Sequence, residues 1–133
     1  MKKKVAFVCV HNSCRSQMAE GWAKRLGSHL LEVYSAGTED YPEVKPLAVK
    51  VMKEANVDIS SHRPKLLEDI PEKVDILITM GCNVVCPSIV SNYYEDWGLK
   101  DPSGGPIEDY RTTRDKIKSR VEQLIDMVDQ GKI

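Results

Sequence analysis

Apolar positions set the first elements of the chain. Residues 4–10, "KVAFVCV", are apolar almost without a break, which predicts a strand buried on both faces. Met18, Ala19, Trp22, Ala23 and Leu26 then recur at helical spacing and predict a helix from about Ser16 to Gly27. "LLEVYSAG" reads as a second strand ending at Gly37, and "EDYPEV" as a loop. Val44, Leu47, Ala48, Val51, Met52 and Ala55 mark a second helix, with Asn56 placed as a left-handed terminator. A short helix is expected around Lys65–Asp69. Asp75–Met80 predicts a third strand and "NYYEDWG" a weaker fourth. "LKDPSGGP" is a Gly/Pro-rich loop, after which Pro106 opens a last helix. Its buried stripe is Ile117, Val121, Leu124, Ile125 and Val128, and Gly131 ends it.

Strands alternating with helices predict an α/β protein. We expect a three-layer α/β/α arrangement around an open, four-stranded parallel sheet covered on both faces, in one domain spanning 1–133. Ligands of such sheets bind beyond the carboxyl ends of the strands. Three loops fall there: 9–16, 80–87 and 98–105. They are expected to share one site.

Composition narrows the class of function. Nineteen basic and twenty acidic side chains give a net charge of −1. That is a poor footprint for nucleic acid or an anionic membrane. The basic opening "MKKK" leads into a short apolar run with no cleavage pattern, and no run reaches membrane-spanning length. A cytoplasmic protein acting as a monomer is the expectation. Four cysteines in 133 residues of that setting suggest catalysis, redox cycling or metal binding more than a permanent disulfide framework.

"CVHNSCR" places Cys9 and Arg15 on either side of five residues, between a buried strand and a helix. Such a loop can turn its N–H groups inward as an anion nest, and the helix N-terminus aims more N–H groups at the same point. The Arg15 guanidinium can grip two oxygens of a tetrahedral oxyanion. Cys9 then lies beneath the anion, where the same positive field favours a thiolate. Asn12 can take left-handed backbone angles, and Ser13 and Ser16 can donate hydroxyl hydrogen bonds to the loop or to the Cys9 sulfur. Cys14 lies within the loop and reads as a packed or tuning residue. His11 sits on the same loop, either tuning its field or simply half exposed. No nucleotide P-loop or GxGxxG pattern is present. "DPSG" read by itself makes Asp101 a turn residue.

The loop, "CVHNSCRSQMAEGW" at 9–22, "SAGTE" at 35–39, "ITMGCNVVCPS" at 78–88 and "EDWGLKDPSG" at 95–104 together resemble the low-molecular-weight tyrosine phosphatase superfamily. Within it they resemble the thiol-dependent arsenate reductase branch, over essentially the whole chain. The resemblance implies that fold, with Cys9 as nucleophile and Arg15 as oxyanion ligand. Asn12, Ser13 and Ser16 are implied as loop-shaping and thiolate-stabilising residues, and Asp101 as the general acid. Arsenate is the implied substrate, with phosphate or sulfate as analogues, and no tightly bound cofactor is implied. Two electrons would come from thiols: Cys9 forms an arsenate adduct, Cys82 attacks the Cys9 sulfur, and Cys86 then attacks Cys82. Thioredoxin would reduce the last disulfide, with a glutathione/glutaredoxin-coupled donor as the alternative.

"GCNVVC" departs from the better-known pattern, in which six residues rather than three lie between the redox cysteines. On a regular helix Cys82 and Cys86 would share one face with α-carbons about 6 Å apart, near the long end of disulfide geometry. A mobile redox flap bracketed by Gly81 and Pro87 is therefore expected.

The same resemblance raises a potassium site, through Asn12, Glu20, Ser35 and the "SSHRPK" stretch with His62. Arg63 and Lys65 stand where oxygen ligands belong, which disfavours the ion and leaves Glu20 to pair with a nearby base. Trp22 reads as core, and Trp97 as a brace for the acid loop. Three rival functions stay open. A phosphotyrosine phosphatase could use Cys9, Arg15 and Asp101, but "RSQ" replaces the usual "RSP" and Cys82 and Cys86 would have no role. A zinc module could use all four cysteines, though neither pair is a C-x2-C knuckle. A flavodoxin-like carrier would lack a clear flavin-stacking platform.

Overall fold

The structure, a computed structural model, describes residues 2–81 and 89–133. Its elements run β1 (Lys3–Cys9), α1 (Arg15–Gly27), β2 (Leu31–Gly37), α2 (Pro46–Glu54), a 3-10 turn (Leu67–Asp69), β3 (Lys73–Thr79), β4 (Val90–Asp96) and α3 (Ile107–Asp129). The four strands form one sheet in the order β2-β1-β3-β4, and every pairing is parallel. The order places β1 in the interior, next to the point where the chain changes direction across the sheet. That is where an open α/β sheet leaves a crevice at its carboxyl end.

Burial follows the predicted stripes. Val5 and Phe7 of β1 pair in register with Ile76 and Ile78 of β3, and all four enter the larger hydrophobic cluster. Met18, Ala19, Trp22 and Ala23 of α1, Val51 and Met52 of α2, and Ile117, Val121 and Leu124 of α3 complete that cluster. A second, smaller cluster holds Ala6, Val8, Ala36, Leu77, Ile70 and Ile89, with Leu67 of the 3-10 turn packed against it. The parallel four-stranded α/β architecture expected from the sequence is thus the observed one. Among the described residues, the three long helices all pack into the larger cluster, and the 3-10 turn and connections serve the smaller.

Boundaries moved by small amounts. The third strand starts at Lys73 rather than Asp75, and the expected short helix is a single 3-10 turn. Pro106 caps the last helix from just outside it, with extended backbone. Asn56 has φ 63°, the left-handed terminator that the α2 stripe predicted.

Two glycines let the strand ends meet. A Cβ on Gly37 would lie 2.7 Å from the Val10 carbonyl oxygen and 2.8 Å from the His11 carbonyl carbon. Both are backbone atoms of the loop after β1, so only glycine admits that approach. Gly81 has φ 105°, and a Cβ there would press on the Gly98 backbone at 3.1 Å. Around it Trp97 N–H donates to the Thr79 oxygen and Leu99 N–H to the Met80 oxygen. The loop entering 98–105 is thereby zipped to the end of β3.

Candidate active site

β1 delivers Cys9 at its last residue, buried, at the carboxyl end of the sheet. The loop then turns through Asn12, whose φ of 54° is left-handed. That turn aims the Asn12 N–H at the Cys9 sulfur, at 3.2 Å. Ser16 Oγ lies 2.8 Å from the same sulfur. The Asn12 side-chain amide donates to Ser16 Oγ at 2.8 Å. With that acceptor position filled, the serine's own proton is left for Cys9 Sγ. α1 begins at Arg15 with no acidic side chain in its first turn, so its positive end is left for an anion.

Arg15 is almost wholly buried. Its Nη1 donates to the Leu99 oxygen at 2.7 Å and to the Met80 oxygen at 3.1 Å. These carbonyls close β3 and open the 98–105 loop, so one guanidinium ties three chain segments together. Its Nη2 stands 3.8 Å from Asp101 Oδ2. A cavity of about 200 Å³ opens here, lined by Cys9, His11, Ser13, Cys14, Arg15 and Asp101 among others.

Asp101 sits in a turn and also faces the cavity. Oδ1 accepts from the Ser103 N–H at 3.0 Å, as an Asp-Pro turn residue does. Oδ2 faces Arg15. Burial pushes this carboxyl up, but the Ser103 backbone and hydroxyl and the Arg15 and Lys45 charges outweigh it, so the net direction is down. Trp97, just before the loop, is buried against Phe7 with ring centroids 5.7 Å apart, and its Nε1 donates to Glu95 Oε1 at 2.9 Å.

Cys14 is a free, buried thiol beside the cavity. Burial is the largest cause raising its pKa, followed by the nearby Asp101 and Cys9. It is held as a neutral thiol, in keeping with a packed rather than reactive residue. Ser13 contributes backbone, its oxygen accepting from the Lys45 N–H at 2.7 Å. Cys82 and Cys86, with the flap predicted for them, lie outside the described residues.

The loop rests on a polar layer that sequence reasoning resolved only in part. Asn12 Oδ1 accepts from Gln17 Nε2 and from the Lys65 N–H, each at 2.9 Å. Gln17 Nε2 also donates to the Asn12 and Arg63 carbonyls, at 3.1 Å and 2.9 Å. Gln17 Oε1 lies 3.0 Å from His62 Nδ1. Beneath them Glu20 is buried, bonded to the Ser35 hydroxyl and to Lys24 Nζ at 2.7 Å, with Lys65 Nζ at 3.4 Å and His62 Nδ1 at 3.5 Å. Burial raises the Glu20 pKa, yet Lys24, Ser35 and Lys65 outweigh it and the net direction is down. The donor set does not fit the potassium ion that the resemblance raised, because two ammonium groups already neutralise this carboxylate. Glu20 pairs with nearby bases, as the Arg63 and Lys65 positions suggested. Gln17 had a readable signal, a polar residue within a buried helical stretch. Lys45, whose N–H holds the Ser13 oxygen of the loop, had none.

The site thus joins a thiol on a loop between a parallel strand and a helix to a buried arginine and a facing carboxylate. The chain belongs to the family described as low molecular weight phosphotyrosine protein phosphatase, whose model matches residues 4–132. Within that family it is similar to arsenate reductases. It is 44% identical over 127 residues to a glutaredoxin arsenate reductase of Synechocystis, covering 92% of this chain and 96% of that protein. The solved structure of an arsenate reductase in the phosphate binding state superposes with a TM-score of 0.89 at 44% identity, covering 96% of this chain and 99% of that one. A thioredoxin-dependent arsenate reductase of Corynebacterium glutamicum superposes with a TM-score of 0.78 at 30% identity, covering 98% of this chain and 63% of that one.

Proposed function

We propose that this protein reduces arsenate to arsenite, with Cys9 as the nucleophile and thioredoxin as the electron donor. The observation that carries the reading is the Cys9 sulfur at the base of the cavity. It receives the Asn12 N–H at 3.2 Å, with Ser16 Oγ 2.8 Å away and Arg15 and Asp101 at the rim. The α1 N-terminus and the guanidinium take the arsenate oxygens. Cys9 attacks arsenic, an As–O bond breaks, and Asp101 supplies the proton that the departing oxygen needs. The product is a Cys9–arsenic thioester at the As(V) level.

Reduction follows when the Cys82 thiolate attacks the Cys9 sulfur. The S–S bond forms, the S–As bond breaks, and its electron pair stays on arsenic, which leaves as As(III). Cys86 attacks Cys82, frees Cys9 as a thiolate and leaves a Cys82–Cys86 disulfide. A dithiol reductant returns that disulfide to two thiols. The roles of Cys82 and Cys86 rest on the sequence and its family likeness. Thioredoxin is favoured because the chain carries both thiols of a complete internal relay and because the Corynebacterium relative is thioredoxin-dependent. The Synechocystis relative bears glutaredoxin in its name, so the donor is a direct comparison to make.

Trapping tests the order of steps. After one arsenate turnover Cys86→Ser is expected to hold a Cys9–Cys82 disulfide, seen by peptide mass mapping without reductant. Several turnovers by Cys82→Ser with thioredoxin alone contradict the relay.

A further inference from the structure

The connection between β2 and α2 carries a cation, Lys45, against the loop that lines the cavity, and nothing in the sequence marks it. Residues 38–45 run along the outside of the Cys9 loop and are fastened to it three times. Thr38 N–H donates to the Cys9 oxygen at 3.2 Å, Glu39 N–H to the Val10 oxygen at 2.8 Å and Lys45 N–H to the Ser13 oxygen at 2.7 Å. The side chains repeat the attachment. His11, on the loop, stacks on Tyr41 with ring centroids 4.7 Å apart and lies 3.3 Å from Glu39 Oε1. Lys45 Nζ bonds the Tyr41 hydroxyl at 2.5 Å and sits 4.7 Å from the Tyr41 ring centroid.

Lys45 is thus fixed at both ends, by its backbone to the loop and by its ammonium to Tyr41. Among the described residues the ammonium bonds a phenol oxygen and makes no ion pair with a carboxylate. Both anchors lead to the cavity, since Ser13, which accepts the Lys45 N–H, and His11, which stacks on Tyr41, line it; from there the Lys45 charge acts on Asp101 and Cys14. Contact with Tyr41 is the largest cause raising its own pKa, so it stays charged across the working range.

We propose that Lys45 is the second cation of the oxyanion site, a binding residue that recruits and retains the anion above Cys9, with Tyr41 holding it in place. The inference rests on the oxyanion reading of this site, and its arsenate arm rests on the proposed function. Arg15 spends much of its donor capacity on the Met80 and Leu99 carbonyls and faces Asp101. An incoming dianion therefore meets a local charge that is partly compensated, and a further ammonium raises both capture rate and affinity. Because Lys45 is half exposed, its effect depends on ionic strength.

The test compares wild type with Lys45→Gln, Lys45→Arg, Tyr41→Phe and, as a distant control, Lys73→Gln, exposed at the start of β3, the far end of the strand from the site. Inorganic phosphate affinity is measured by calorimetry and arsenate kinetics by the coupled assay, each across a series of salt concentrations. Lys45→Gln is expected to weaken phosphate binding and raise the arsenate KM about 5- to 20-fold, with a smaller change in kcat and a flatter salt dependence of kcat/KM. Lys45→Arg is expected to retain most of the affinity. Tyr41→Phe is expected to give an intermediate loss, because the ammonium loses its tether. Equal phosphate affinity in wild type and Lys45→Gln, with matching thermal melts, overturns the inference. Weaker phosphate binding in Lys45→Gln without arsenate turnover by wild type sustains it and overturns the reductase reading instead.

Discussion

Arg15 Nη2 and Asp101 Oδ2 face each other across the cavity mouth at 3.8 Å, one group buried and the other half exposed. The pair sets a protonation problem. A general acid must carry a proton, yet Ser103, Arg15 and Lys45 together overcome burial and hold the free Asp101 carboxyl below its ordinary 3.8. An arsenate dianion brought against Asp101 reverses that balance, since it disfavours a second negative charge and engages Arg15.

The pH dependence of kcat should show this. kcat reports the loaded enzyme, so it is expected to fall as pH rises through the Asp101 pKa of the complex. Asp101→Asn is expected to lower kcat by about 100-fold or more and to remove that limb. An unchanged profile in the variant contradicts the acid role. In the free protein the sign is opposite. A depressed carboxyl adds stability that is present above about pH 4 and lost as pH falls through the folded-state value.

Asn12 ties the loop together through both its backbone and its side chain. Its N–H reaches Cys9, its amide reaches Ser16, and its Oδ1 takes Gln17 and the Lys65 backbone. Asn12→Gly keeps the left-handed backbone at no steric cost and removes only the side-chain bonds. Asn12→Ala removes the bonds and adds strain at φ 54°. Both are expected to reduce turnover. Urea midpoints are expected to fall for both, with alanine costing about 1–3 kcal/mol and more than glycine. Alanine equal to glycine would mean that backbone strain plays no part.

His62 links the polar layer to pH. Burial is the largest cause lowering its pKa beneath 6.5; Lys24 and Lys65 act the same way and Glu20 and Asp58 oppose them. The unfolded chain therefore takes up this proton first as pH falls. The stability it contributes is present above about pH 6.5 and is lost as pH falls through the depressed folded value. Denaturant midpoints between pH 8 and pH 5 are expected to drop for wild type and to drop less for His62→Gln. Glu20 adds its own loss only below about 4.5, outside this window. Parallel slopes for the two proteins contradict the assignment.

Much of this arrangement was legible because period and punctuation agree. The β1 run, the α1 and α3 stripes and Asn56 reported their elements directly, since burial on a strand or helix repeats in sequence. Cys9, Arg15 and Ser16 were legible because strand, loop and helix start are consecutive. Asp101 was not legible from its neighbours. "DPSG" encodes the turn that the Ser103 contact shows, and only the fold brings its other oxygen to Arg15. Lys45 went unread for the same reason: its place depends on how the chain between β2 and α2 lies against the loop. Gly37 reads in sequence as a strand terminator, whereas its need to be glycine comes from the Val10 carbonyl pressed against it.

The most direct measurement of the central claim is arsenate-dependent NADPH oxidation coupled through thioredoxin and thioredoxin reductase. Wild type, Cys9→Ser and Cys86→Ser are compared, with p-nitrophenyl phosphate hydrolysis followed in parallel. The account predicts sustained arsenate turnover in wild type, none in either variant, and phosphate-ester hydrolysis lost only with Cys9. No arsenate turnover in wild type, with ester hydrolysis indifferent to Cys86, would contradict it.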